Sequence, residues 1–323
     1  DIWGLRLSPS SDFPKSGEHG MKSFTVLLAI LASGLVLPAL AQTAPPSPAV
    51  ESVIVTAPAQ RPEDALNQFI ISHAAPTPAL GKIGRWKTGI CPVTLGLPDK
   101  FNLFVTQRII RMAMLAGTPL DSQEPCRPNV LVLATPQPQA LLDLVRAKRP
   151  ALLGFHYRGQ AQRISTMRLP IQAWYSTATE DFHGFISADL PSWDLGYGVM
   201  STTGYAPSMY VSGSRMGDGL KSEFTTAIIV VDTNRIAGQE IGPLADYIAM
   251  LALSQAQSYD DCQPVPTITN LMSSGCANGM KPDAITDIDA TYLRGLYKMD
   301  AGRSLLGERG SIAYVMKTEL GGY

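Results

Sequence analysis

From Pro62 onward, apolar positions fall into short stretches of helical or strand-like spacing, separated by Pro- and Gly-rich breaks. Pro62-Glu63-Asp64 followed by Ala65, Leu66, Phe69 and Ile70 predicts a helix start, with Pro in the first turn and acids at the positive end of the dipole. Prolines and Gly81 within residues 74–81 end it. Phe101–Ala116 keeps helical spacing through Phe101, Phe104, Val105, Ile109, Met112 and Leu115. Asn129–Ala134 (NVLVLA) is a short unbroken apolar run and reads as a buried strand. Gln137–Lys148 follows as a helix with Leu141, Leu142 and Val145 inward. Arg168–Thr177 reads as a strand, with Pro170 placing it at a sheet edge or marking its start.

Residues 184–208 are rich in Gly, Ser, Pro and Tyr and read as a long loop. Tyr210–Met216 and Phe224–Asp232 bracket Gly217-Asp218-Gly219, which suggests a hairpin with an apolar second strand. Gly238–Gln257 is the strongest helix. Ile241, Leu244, Ala245, Ile248, Leu251 and Ala252 form one stripe, and Ala249, Met250 and Leu253 make the other side apolar too, so this helix is expected to be buried. Thr286-x-x-Asp289 resembles a capping box and opens a helix through Tyr297, and a short helix over Ser311–Leu320 closes the chain. Helices, then a mixed sheet, then a buried helix and an irregular tail indicate an α+β fold.

The first sixty residues follow different rules. Met21–Ala41 has Lys22 at its head, an apolar stretch over Phe24–Leu40, and Ala39-Leu40-Ala41 as an A-x-A cleavage site, the pattern of a secretory signal peptide. Residues 1–20 read as an upstream segment foreign to the mature protein. Residues 42–60 are a Pro/Ala-rich linker, and residues 61–323 form a single domain. Cleavage after Ala41 removes three basic and three acidic residues and leaves the net charge at −1. Balanced charge and a pI near 6.5 argue against nucleic acid as a partner. No later apolar run approaches the ~18 residues of a membrane helix. The chain is thus expected to be exported to the periplasm or beyond it. Four cysteines, Cys91, Cys126, Cys262 and Cys276, suit an oxidising compartment, and Cys91–Cys126 with Cys262–Cys276 is the favoured pairing because each pair brackets one coherent segment.

The usual catalytic motifs are missing. H-E-x-x-H, G-x-S-x-G, S-x-x-K, the P-loop and G-x-G-x-x-G are all absent. Individual candidates remain: His156 or His183 as a general base, Trp174-Tyr175 as a ligand platform, and Arg215 with Asp218 beside the expected hairpin turn. For each, packing or a solvated turn is the plainer alternative.

The final third carries a resemblance. TAIIVVD leads into the buried helix. Pro266-Thr267-Ile268-Thr269-Asn270-Leu271 follows, and Ile285-Thr286-Asp287-Ile288-Asp289 opens the helix containing Leu293-Arg294-Gly295-Leu296-Tyr297. This resembles the catalytic half of secreted zincin-type metallopeptidases, and also an uncharacterised family of exported bacterial proteins with the same ending. The resemblance implies a zincin-like mixed sheet with a buried central helix and a disulfide-containing C-terminal part. It also aligns Asp246 and Met250 with the zinc histidines and Tyr247 with the general-base glutamate. One carboxylate and one thioether make a poor zinc pair, and losing the glutamate removes the group that activates water. The expectation is therefore a degenerate, non-catalytic scaffold without cofactor or metal that binds a peptide, protein or envelope component. The alternatives are a metal-dependent hydrolase in which folding brings His156 or His183 to Asp246, and a purely structural envelope protein.

Overall fold

The fold is given by a computed structural model that describes residues 61–191, 209–255 and 261–321. The signal-like segment, the upstream segment, the Pro/Ala-rich linker and most of the expected 184–208 loop lie outside the described residues.

Six strands make one mixed sheet: β1 (Gly84–Arg85), β2 (Pro92–Leu95), β3 (Val130–Thr135), β4 (Ile171–Glu180), β5 (Ile186–Ala188) and β6 (Lys221–Asp232). Their order is β2-β3-β6-β4-β5, with β1 pairing to the start of β6. β2, β3 and β6 run parallel, while β4 is antiparallel to both β6 and β5. The last strand in the chain is therefore the middle of the sheet, and its run of buried residues from Ala227 to Asp232 fits that place. Among the described residues seven α-helices accompany the sheet: α1 (Pro62–His73), α2 (Asp99–Ala116), α3 (Pro138–Lys148), α4 (Ala161–Ile164), α5 (Ile241–Leu253), α6 (Asp287–Lys298) and α7 (Leu305–Leu320).

Strand alternation separates two cores. Val130, Val132, Ala227, Ile229 and Val231 join α1, α2, α5, α6 and α7 in the larger one. Leu131, Ile228, Val230 and Trp174 face Leu142 and Val145 of α3 in the smaller. Eleven residues of α5, from Pro243 to Leu253, are buried, so this helix packs on every side, as its composition predicts. Gly96, between β2 and α2, has φ +93°, and a Cβ there would lie 1.9 Å from the Ala134 carbonyl, so only glycine lets the chain turn against β3.

The α+β class, the mixed sheet and the buried helix agree with the sequence. The hairpin does not. Residues 210–216 are not a strand, because both edges of β6 are already occupied, by β3 and β1 on one side and β4 on the other. The D-G turn signal is local, and these non-local partners override it. β4 starts just after Pro170 and lies inside the sheet, so that proline marks a beginning and not an edge. The C-terminal helix begins at Leu305, earlier than the expected Ser311, because the Ser304 hydroxyl caps it by accepting from the Gly307 N–H. Both expected disulfides, Cys91–Cys126 and Cys262–Cys276, are formed.

Candidate functional site

Asp246 lies one turn into α5 with no exposure. Its carboxylate is held bidentately by Arg108 of α2: Nε reaches Oδ1, and Nη2 donates to Oδ2 at 2.7 Å. Oδ2 also accepts the Ile285 N–H at 3.0 Å. The pair thus ties together α2, α5 and the entry to α6. The neighbouring carboxylate raises the Arg108 guanidinium above its ordinary value, principally through this hydrogen bond. Tyr247 and Met250 are buried in the larger core.

The other expected residues are dispersed. Trp174 and Tyr175 are neighbours on β4, so their rings enter opposite layers and do not form one platform. The Trp174 indole donates to the Ile164 carbonyl at 2.7 Å. The Tyr175 hydroxyl lies 2.6 Å from the Leu251 carbonyl and 2.9 Å from that of Ser254, at the end of α5. His156 is buried, with Nδ1 2.6 Å from the Gly154 carbonyl. Because a carbonyl only accepts, Nδ1 carries a proton there. His183 is exposed and stands edge-on to Phe182 and Tyr210. Asp218 is paired with the buried Lys82 at 2.9 Å. Among the described residues, no group of three or more His, Cys, Asp or Glu side chains is placed to hold a metal ion.

Compared with known proteins, the chain matches no family model, no curated protein and no solved structure.

Three arrangements were not anticipated from the sequence. The first is a buried polar chain. His73 Nε2 lies 2.9 Å from Thr269 Oγ1, which lies 3.0 Å from Thr267 Oγ1, and the Thr267 hydroxyl bonds the Asp289 carboxyl. Asp289 Oδ2 also accepts the N–H groups of Ile268 and Thr286. Burial lowers His73 to about 4, and burial pushes Asp289 upward against the hydrogen bonds from Thr267, Ile268 and Thr286 that favour its charged form. This chain fastens α1 to the Pro266–Leu271 loop and α6.

The second arrangement is an exposed aromatic surface. Phe182, Phe185, Ile186, Tyr210, Val211 and Met216 are all exposed. Asp181 organises them, because its carboxylate accepts the N–H groups of His183 (2.8 Å), Phe185 (2.9 Å) and Tyr210 (3.0 Å). Burial would push this carboxyl up, but the three donors outweigh it and hold the group below its ordinary range.

The third is a pair of buried carboxyls, Glu180 and Glu223, that share Lys87. The legible clue to the second and third arrangements was Glu180-Asp181, two adjacent acids closing an otherwise uncharged strand.

Proposed function

We propose that this is an exported, non-catalytic, zincin-like scaffold that works by binding a protein or peptide partner. The carrying observation is the state of Asp246. Both of its oxygens are engaged by Arg108 and Ile285, and Tyr247 and Met250 beside it are core residues. A helix built this way serves as an interior strut and offers no open ligand position or water-activating base. The exposed aromatic surface supports binding as the activity. Exposed Phe182, Phe185 and Tyr210 cluster with His183 around one Asp-braced turn, and such exposed aromatic groupings commonly mark an interaction site. Two disulfides fit an oxidising compartment, and among the described residues no helix is long and apolar enough to cross a membrane.

The test has two arms. Elemental analysis of disulfide-intact protein should find transition metal well below stoichiometric, and added zinc should leave the melting temperature unchanged. A peptide array should show binding that a Phe182→Ser/Phe185→Ser pair abolishes without altering the fold. Stoichiometric zinc, or peptide hydrolysis lost in Asp246→Ala, would overturn the reading.

A further inference from the structure

Glu180 ends β4 and Glu223 lies near the start of β6, and each is more than nine-tenths buried. In the β4–β6 register Glu180 stands opposite Lys221, and Glu223 stands opposite Ala178. Ala178 and Glu180 are two apart on one strand, so all four side chains share a face. The small Ala178 leaves room for Glu223 to lean toward Glu180, a diagonal distance that long side chains span. The Lys87 ammonium joins them: it bonds Glu180 Oε2 and lies 3.3 Å from Glu223 Oε1. Lys221 Nζ reaches Glu180 Oε1 at 3.1 Å. Two neighbouring buried carboxylates repel each other when both ionise, and Lys221 pairs with Glu180 alone, which leaves Glu223 only the ammonium it shares. The charges acting on Glu223 come from Lys87 and Arg85 on the β1 segment and Glu180 on β4, while Lys221 on β6 itself pairs with Glu180. β5 brings only Ile186 opposite Glu180.

From this geometry we infer that Glu180 and Glu223 form a proton-operated clasp, closed while the pair shares one proton and loosened when that proton leaves. What the clasp holds follows from its position. It fastens the ends of β4 and β6 to the segment after β1, and the residue after Glu180 is Asp181, which braces the turn bearing Phe182 and Phe185. Opening the corner releases that turn. The titration range agrees with such a role. Burial, followed by the neighbouring Glu180, pushes Glu223 up to about 7, while hydrogen bonds from Glu223 and the two lysines hold Glu180 well below the ordinary carboxylate range. The two protons belong to the pair and leave in separate steps. Between 4.5 and about 7 the folded pair keeps a proton that the unfolded chain has lost. The clasp therefore stabilises most on the acid side of that window and fades as pH rises through it. The inference is independent of what the aromatic surface binds.

The experiment is a carbon-13 titration of glutamate carboxyls, assigned with Glu180→Gln and Glu223→Gln, together with amide exchange normalised to intrinsic rates. One carboxyl should titrate near neutral pH and vanish in Glu223→Gln. Protection of the His183 and Phe185 amides should fall tenfold or more between about pH 6 and pH 8.5, and that step should be absent in Glu223→Gln. Lys87→Ala alters a half-exposed residue and keeps the test decisive if Glu223→Gln does not fold, because it should move the near-neutral midpoint upward. Both glutamates titrating below about pH 5, an exchange step that survives Glu223→Gln, or a midpoint indifferent to Lys87→Ala would each overturn the clasp.

Discussion

Asp246 and Arg108 are 138 residues apart, yet one carboxylate, one guanidinium and one backbone N–H satisfy each other in the interior. Removing Arg108 leaves the fully buried Asp246 carboxylate uncompensated, whereas Arg108 itself is partly exposed. Arg108→Ala should cost about 3–5 kcal/mol in denaturant unfolding, and Asp246→Ala should cost less. A double substitution by matched apolar residues should recover most of that loss, since the pair's desolvation cost also disappears. Asp289 makes a different prediction because its carboxyl only accepts: the Thr267 hydroxyl and the Ile268 and Thr286 N–H groups all donate to it. Asp289→Ala should therefore cost about 2–3 kcal/mol for the orphaned donors, and Asp289→Asn should cost less, because its amide oxygen still accepts. Urea titrations of the two variants separate them. Neither partnership is legible in the sequence. Asp289 reads as a capping residue, which it is, but its link to Thr267 depends on a loop 22 residues earlier.

At the scale of elements, helices were the most legible part, because burial of one stripe imposes a period that short windows reveal. α5 and α6 stand close to where apolar spacing and the Thr286 cap put them. β1 and β2 are two and four residues long and exist only through distant partners, so no local pattern announces them. The failed hairpin has the same cause in reverse: a good local turn signal without a free strand edge beside it. The C-terminal end of α6 shows how one distant side chain can complete an element. Arg85 donates to the carbonyls of Leu296, Tyr297 and Met299, which otherwise end the helix without side-chain partners. The disulfides close loops of different size, with sequence separations of 35 and 14. Chain-entropy reasoning assigns about 4 kcal/mol to the first and about 3 kcal/mol to the second. Replacing Cys91 and Cys126 by alanine should lower the melting temperature more than replacing Cys262 and Cys276, as scanning calorimetry would read.

For the molecule as a whole, stability against pH combines two opposed groups. His73 is buried neutral, at about 4 against an ordinary 6.5. Its contribution is present above 6.5 and is lost as pH falls toward 4, on the order of 3 kcal/mol over the full range. The Glu223 proton works oppositely, stabilising below its window and fading toward neutrality. The two slopes offset one another across mildly acidic pH, and wild-type stability there should be nearly flat. His73→Gln should lose the acid limb and become progressively more stable, relative to wild type, as pH is lowered from 6.5 to 4. A denaturation series at fixed ionic strength checks the sign. The parts of the candidate site missed from sequence belong to this scale, since Glu180 meets Glu223, and Lys87 meets both, only after the sheet has formed.

The sheet's topology also sets an order of events. β6 is the only described strand that touches both β3 and β4, and it is the last to be synthesised. A nascent chain ending before Lys221 can pair β2 with β3 and β4 with β5, but it has nothing to join the two halves. Each half alone would be a two-stranded ribbon with both edges open, too small for independent stability. Assembly must therefore wait until residue 232 is available and then close across long stretches of chain, the slow kind of folding. Until then the two halves of the sheet stay unjoined, and the strand that locks them together is the last of the described strands to arrive.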